Sequence, residues 1–338
     1  MAKRWATLLN CDRLLIVELW GLGDLLIATP FLQAAAKRYS VTLVAKPYAQ
    51  GLRDRFWPEV QVIPFVAPWT AFTRKYLLHR WPWRGLIHLR HALRGKFDIG
   101  LSARWDPRDH LLLWLVGAQD RLGFPRVHSD WFLTHSLQRP EPTAHRYEYW
   151  RVLADALKLT LPPRDKIPLP RTQRCHNVLI HSGAGQPIRV WPLERYRNLV
   201  ERVRKSGYQV TIACDADQRQ WWLRAGEANV ATPGTVKELL ALLDQAGAFV
   251  GNDSGPGHLA TFCGLPTLTI FGPQLSEWFS PLHPESIALE GKACPYKPCS
   301  DYCRFPAPRC LWGISEAEAW LEVERFLTRH LEQREAQP

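Results

Sequence analysis

Short runs of consecutive apolar residues recur along the chain, separated by stretches in which apolar positions return every three to four residues. An unbroken run such as Leu14-Leu15-Ile16-Val17 reads as a strand covered on both faces, and the longer period reads as an amphipathic helix. In the first half, Arg13–Leu19, Val41–Ala45, Val60–Phe65 and Phe97–Ser102 are expected strands, and Leu25–Arg38 is an expected helix. In the second half the expected strands are Asn177–His181, Gln209–Ala213, Phe249–Asn252 and Thr267–Phe271, with helices near Leu193–Ser206 and Val236–Gln245. Strand and helix in alternation predict an α/β fold with parallel sheets.

Between these halves the text around Leu159–Thr172 carries Pro162, Pro163, Pro168 and Pro170. Proline breaks a helix and is excluded from a central strand, so this segment is read as a linker. The expected organisation is a first domain over residues 1–160, a linker over 161–175 and a second domain over 176–313. A last helix occupies 314–338, opened by Ser315 with Glu318 three residues on, the pattern of a capping box. No internal repeat or low-complexity tract interrupts the alternation.

A length of 338 residues suits two cores. No apolar run approaches the roughly 18 residues of a membrane span. The N-terminal stretch lacks the apolar block of a secretory signal, being broken by Asn10, Cys11, Asp12 and Arg13, and the expected location is the cytoplasm. The formal charge of +11 predicts an anionic partner: nucleic acid, a lipid surface or a phosphorylated substrate.

Three segments carry candidate chemistry. In Trp20-Gly21-Leu22-Gly23-Asp24-Leu25-Leu26, a strand turns on two glycines into a helix. The bulky residues exclude a dinucleotide fingerprint, and a carboxylate there would repel a pyrophosphate. Asp24 is read either as a helix N-cap or as a general base. His181-Ser182-Gly183-Ala184-Gly185 is a second strand-to-loop transition, where backbone N–H groups approach an anion and Arg189 adds a fixed cation; an ordinary βα loop with a surface arginine is the other reading. In the third segment, a strand ending at Asn252 leads through Asp253 and Ser254 into a helix with Pro256 in its first turn and Gly264 at its end. The mouth of that helix is suited to a diphosphate. Asp253 and His258 are ligand contacts on this reading, or a cap and a packing residue on the other.

In order and spacing these segments resemble the lipopolysaccharide heptosyltransferases of glycosyltransferase family 9. The resemblance rests on Gly23-Asp24-Leu25-Leu26 with Pro30, on His181–Ala184 with Trp191-Pro192, and on Gly251–Gly255 with His258-Leu259-Ala260 and Phe271-Gly272-Pro273. It implies a GT-B fold, two facing Rossmann-like domains each with a mainly parallel sheet, with the acceptor on the first and the nucleotide sugar on the second. The last helix is then expected to pack back toward the N-terminal domain. The implied reaction is inverting transfer of heptose from ADP-heptose to a lipopolysaccharide inner-core glycolipid, with no cofactor required for catalysis. Asp24 becomes the base, and Ser182, Gly183, Ala184, Arg189, Asp253, Ser254, Gly255, Gly257 and His258 become donor contacts. Gly257 departs from the larger residue usual in the family and is expected to leave room beside the donor sugar. The alternatives are a GT-B transferase using another nucleotide sugar and a catalytically silent adaptor that binds membrane or nucleic acid.

Two further features stand outside those motifs. Cys294, Cys299, Cys303 and Cys310 fall in one proline-rich segment and are read as a structural zinc or iron site or as reduced thiols. From Pro68 to Lys96 the chain holds tryptophans and basic residues with no acidic residue. Gly23, Arg74, Lys75, Arg80 and Arg84 are taken as acceptor or membrane contacts, which places the protein peripherally on the inner membrane. With a membrane-embedded anionic acceptor implied, nucleic acid is not expected as a partner.

Overall fold

The computed structural model describes residues 12–70, 83–170, 175–299 and 302–332. The chain divides into two compact units, Met1–Pro162 and Pro163–Pro338. The first holds a sheet of β1 (Arg13–Glu18), β2 (Ser40–Ala45), β3 (Gln61–Pro64), β4 (Ile99–Leu101), β5 (Asp120–Gly123) and β6 (His135–Ser136). The second holds β7 (Asn177–His181), β8 (Gln209–Ala213), β9 (Val230–Ala231), β10 (Ala248–Asn252), β11 (Thr267–Phe271) and β12 (Ile287–Glu290).

The sheet orders are β3-β2-β1-β4-β5-β6 and β12-β11-β10-β7-β8-β9. Renumbered from its own first strand, the second order is the first one read backwards, so both units share one Rossmann-like topology. Among the described residues every pairing is parallel; β1 lies beside both β2 and β4, and β7 lies beside both β8 and β10. Between β1 and β4, and between β7 and β10, the direction of winding reverses. A crevice opens there at the carboxyl ends of the strands.

The expected strands match β1 to β4, β7, β8, β10 and β11 to within two residues at each end. The helix expected at Leu25–Arg38 is two helices, Leu22–Ile27 and Thr29–Ala36, with Ala28 between them. Pro30 sits in the first turn of the second helix, where its missing N–H costs nothing; inside one continuous helix it would leave Leu26 O unpaired. The capping box at Ser315 is present: Glu318 N–H donates to Ser315 Oγ at 3.2 Å, and Ser315 N–H donates to Glu318 Oε2 at 2.7 Å. The sequence reading sends that last helix back toward the first domain. Its buried residues Ala319, Val323, Phe326 and Leu327 lie in the second unit's own core, with Val178, Leu199 and Val203.

Helix Gly255–Phe262 ends at Cys263, and Gly264 follows with φ +83°, the left-handed position expected of a terminator. A Cβ there would also run into the Pro170 carbonyl. Gly264→Ala is therefore expected to destabilise the second unit by more than about 1 kcal/mol, read as a lower urea midpoint; an unchanged midpoint contradicts this packing.

Candidate active site

In the first unit, β1 delivers Glu18 to its carboxyl end and β4 is followed there by Ser102 and Arg104, so the crevice at the reversal is lined by charge. Asp24 is not an N-cap. The cap position is Gly21, and Asp24 is the third helical residue, reaching back so that its Oδ2 accepts the Gly21 N–H at 3.1 Å. Its other oxygen pairs with the Arg104 guanidinium. Both side chains keep a little under a fifth of their surface exposed, 19% for Asp24 and 17% for Arg104. Both oxygens of the carboxylate are thus held, while part of its surface stays exposed.

Two more carboxyl groups lie in this neighbourhood, both buried. Burial in apolar surroundings pushes Glu18 up to about 8, reinforced by Asp24 and Asp109 and opposed by Arg104. The same burial pushes Asp109 up to about 7. Arg104 itself is held charged, because the surrounding carboxylates Asp24, Glu18 and Asp109 outweigh its own burial. Lys46, also within the field of Asp24 and Glu18, is lowered by burial. Burial lowers Arg146 to about 10, with repulsion from Arg104 in the same direction; its guanidinium lies 4.3 Å from the Trp105 ring centroid. Cations and carboxyl groups in such concentration, outside bulk water, are the usual mark of a chemically active site.

The second unit builds its crevice differently, from hydrogen bonds of neutral groups with an arginine–aspartate pair beside them. Asn252, at the end of β10, donates from Nδ2 to Ser182 O at 2.8 Å and accepts the Trp191 N–H on Oδ1 at 3.0 Å. It thereby clamps the glycine-rich loop after β7 to the segment that follows it. Arg189, in the short turn Pro187–Arg189, approaches Asp253 with Nη1 3.4 Å from Oδ2. Ser254 occupies the N-cap of helix Gly255–Phe262 without a side-chain cap bond; its hydroxyl donates to Asn252 O at 3.1 Å.

Several of the expected donor contacts also have partners within the second unit. The Ser182 hydroxyl is buried, donating to Gln218 Oε1 at 2.9 Å and accepting the Trp222 indole N–H at 3.0 Å. Gly183 backs onto Asp215, whose carboxylate leaves no room for a Cβ. A Cβ on Gly257 would meet Thr269 Oγ1 at 3.4 Å and the Phe249 ring at 3.5 Å, ordinary contact distances, so this glycine faces the sheet. The Gly257 N–H donates to Ser254 O at 3.2 Å, and Pro256 has none, so fewer donors point out of the helix mouth than the sequence suggests. Ala184 and His258 are buried, while Gly255 is half-buried.

Residues 86–306 match the family model described as glycosyltransferase family 9 (heptosyltransferase), well over half of the chain. The chain belongs to glycosyltransferase family 9. Among curated relatives of this family, lipopolysaccharide heptosyltransferase 3 of Escherichia coli (strain K12) is 30% identical over 106 residues. That stretch is 29% of this chain and only 31% of the relative, so the alignment spans about a third of its length. Among solved structures, a glycosyl transferase family 9 protein from Veillonella parvula superposes with a TM-score of 0.76 at 19% identity, over 94% of this chain and 98% of that one. The E. coli heptosyltransferase WaaC with ADP-2-deoxy-2-fluoro heptose gives 0.70 at 17% identity, over 93% and 99%. These likenesses bear out the GT-B fold class.

Set against the family 9 expectation, the structure brings Arg189 and Asp253 together and leaves Asp24 in the company of residues the sequence reading passed over. Gly23 is half-buried within the helix that carries Asp24. Arg84 is exposed on helix Trp83–Leu93, while Arg74, Lys75 and Arg80 lie outside the described residues. Glu18 carried a signal that was missed, since a glutamate closing an otherwise apolar strand is a buried charge in waiting. Arg104 and Asp109 became visible only when β4 was placed beside β1.

The expected zinc or iron site is not built. Cys294, Cys299, Cys303 and Cys310 line one small cavity with Lys297, Arg309 and Phe305, but among the described residues no group of three or more histidine, cysteine, aspartate or glutamate side chains converges to hold a metal. Burial pushes the Cys310 thiol up, opposed by Lys297 and reinforced by the neighbouring sulfurs. Their spacing lacks the paired C-x-x-C turns that aim thiolates at one point.

Glu18 provides a test of the buried charge. Its folded value of about 8 exceeds the ordinary carboxylate value in the unfolded chain, so between the two the folded protein holds a proton that the unfolded chain has released. Its contribution to stability is complete below the unfolded value and is lost as pH rises through about 8. Glu18→Gln keeps an oxygen for the Trp20 N–H, which Glu18 Oε1 accepts at 3.2 Å, and cannot ionise. The urea midpoint of the wild type is expected to fall between about pH 5 and about pH 8, and that of the variant to fall less. Equal slopes contradict the burial argument.

Proposed function

We propose that this chain is an inverting glycosyltransferase that moves heptose from ADP-heptose to a lipopolysaccharide inner-core acceptor. The observation that carries the reading is the anchored, partly open Asp24 carboxylate at the winding reversal of a family 9 chain. In the proposed step the acceptor hydroxyl oxygen attacks the anomeric carbon and its proton passes to Asp24. The bond from that carbon to the diphosphate breaks, its electron pair leaves on ADP, and the configuration inverts. Arg189 and the mouth of helix Gly255–Phe262 are proposed to stabilise the charge that gathers on the leaving diphosphate. Asp253, within reach of Arg189, is proposed to orient the guanidinium or the sugar. The ligand in WaaC, an ADP-heptose analogue, supports the choice of donor.

The acceptor in this proposal is a membrane glycolipid, and the chain is read as cytoplasmic and peripheral. Among the described residues, no helix is long and apolar enough to cross a membrane. Helix Trp83–Leu93 has no acidic residue and exposes Trp83, Arg84 and Ile87, and Trp131 elsewhere in the first unit is 84% exposed. Exposed indoles and arginines suit the boundary of an anionic bilayer.

The test is ADP release from ADP-heptose with core-truncated glycolipid presented in anionic and in zwitterionic vesicles. Acceptor-dependent release is expected, faster on the anionic surface, and falling by at least about a hundredfold in Asp24→Asn, which keeps the shape and removes the base. Release that is unaffected by the substitution overturns the role of Asp24. Release from a different nucleotide sugar alone overturns the donor, and silence with every donor moves the family 9 chain toward a binding role.

A further inference from the structure

The first unit contains a buried carboxyl group that the proposed reaction does not use. Asp109 is fully buried, one turn into helix Pro107–Val116, and it is surrounded by donors. The Trp69 indole N–H donates to its Oδ1 at 3.0 Å, the Trp20 indole N–H to its Oδ2 at 3.3 Å, and the Ser102 hydroxyl to the same oxygen at 3.4 Å. Burying an acid is costly unless such partners compensate it, and apolar packing alone has no need of it.

Two of those partners lead to one residue. The Trp20 ring carries the Arg104 guanidinium on its face, 5.1 Å from the centroid. Ser102 Oγ accepts the Arg104 backbone N–H at 3.2 Å. The Arg104 carbonyl is held as well: His110, kept neutral by burial, places Nε2 3.1 Å from it. A carbonyl can only accept, so Nε2 carries the proton and Nδ1 accepts from Ser129 Oγ at 2.9 Å. Side chain, N–H and carbonyl of Arg104 are thus each fixed, and its free end pairs with Asp24.

We propose that Asp109 is a positioning residue for the reaction: through Trp20 and Ser102 it fixes the guanidinium of Arg104, and Arg104 fixes the Asp24 carboxylate. The inference rests on the reading of Asp24 as the base. An error of about 1 Å in a reacting group can cost on the order of a hundredfold in rate, so a side chain that never meets substrate still governs turnover. The donor is assigned to the other unit, so loosening this chain of contacts affects the chemical step and not donor affinity. A core residue with only a packing role would lower stability and affect turnover whether or not Arg104 is present.

The experiment is a double-mutant cycle in the full chain between Asp109→Asn and Arg104→Gln, with kcat and donor KM measured for each and melting temperature as the check on folding. Asp109→Asn turns an amide N–H toward an indole donor and is expected to lower kcat by about tenfold to a hundredfold with donor KM unchanged. In the Arg104→Gln background the same substitution is expected to have no further effect, because the two act along one line. An equal loss of kcat in both backgrounds, or no loss in either, overturns the proposal. If Asp109→Asn does not fold, Ser102→Ala removes one link alone and carries the same cycle. If the wild type turns over no nucleotide sugar, the reading of Asp24 fails by itself. The positioning is then read from the Arg104 Nε–H resonance, identified by its loss in Arg104→Gln. A shift or broadening of that signal in Asp109→Asn supports the grip of Asp109 on Arg104, and an unmoved signal overturns it.

Discussion

Parallel strands cannot be joined by a hairpin, and everything of interest in this chain follows from that restriction. Each described strand pairing is parallel, so each connection must cross a face of its sheet and come back to the same end. The connections leaving the carboxyl ends therefore collect along one edge, and they part where the winding reverses. In the first unit the gap lies between β1 and β4, and in the second between β7 and β10. Glu18, Asp24, Ser102 and Arg104 gather at the first gap, and Ser182, Gly183, Asn252 and Asp253 at the second, at equivalent places in two equivalent sheets.

What the two gaps hold is nevertheless opposite in kind. The first is ionic, one arginine held charged by Asp24, Glu18 and Asp109 in a place where burial penalises the charged forms of Arg104, Glu18 and Asp109. On the proposed function, this arrangement serves to move a proton. The second is a clamp of amide and backbone groups centred on Asn252, with one arginine at its rim. It costs little to bury and presents a cation where an anion can reach it. The proposed division of labour between base and leaving-group site rests on this difference between the two units.

Much of this was legible in the sequence, for reasons that differ by residue. Short β-branched and apolar segments such as Asn177–His181 and Thr267–Phe271, too short for a helix, matched the buried strands to the residue. The very short strands β6 and β9 carry no such run and are held only by their neighbours. Helix Pro107–Val116 went unread although Asp106 caps it, Pro107 opens it and Gly117 ends it at φ +74°; its apolar residues sit on more than one face, which hides the helical period. At the candidate site, Asp24 and Arg189 stood out in the sequence because glycines announce the loops that carry them. The side chain of Ser182 and the face of Gly257 could not be read the same way, since a glycine-rich motif says that backbone comes close to something without saying whether that is a ligand, a carboxylate such as Asp215 or the sheet itself. Arg104 and Asp109 lie far from β1 along the chain and reach it only through the strand order.

The account stands on the separation of an ionic first site from a diphosphate-binding second one, and calorimetric titration of ADP into Arg189→Ala and Arg104→Gln tests that separation most directly. The account predicts that Arg189→Ala weakens ADP binding by about tenfold or more, while Arg104→Gln leaves it as in the wild type. Weaker binding in Arg104→Gln with Arg189→Ala unchanged would contradict it, because the leaving diphosphate would then belong to the first unit.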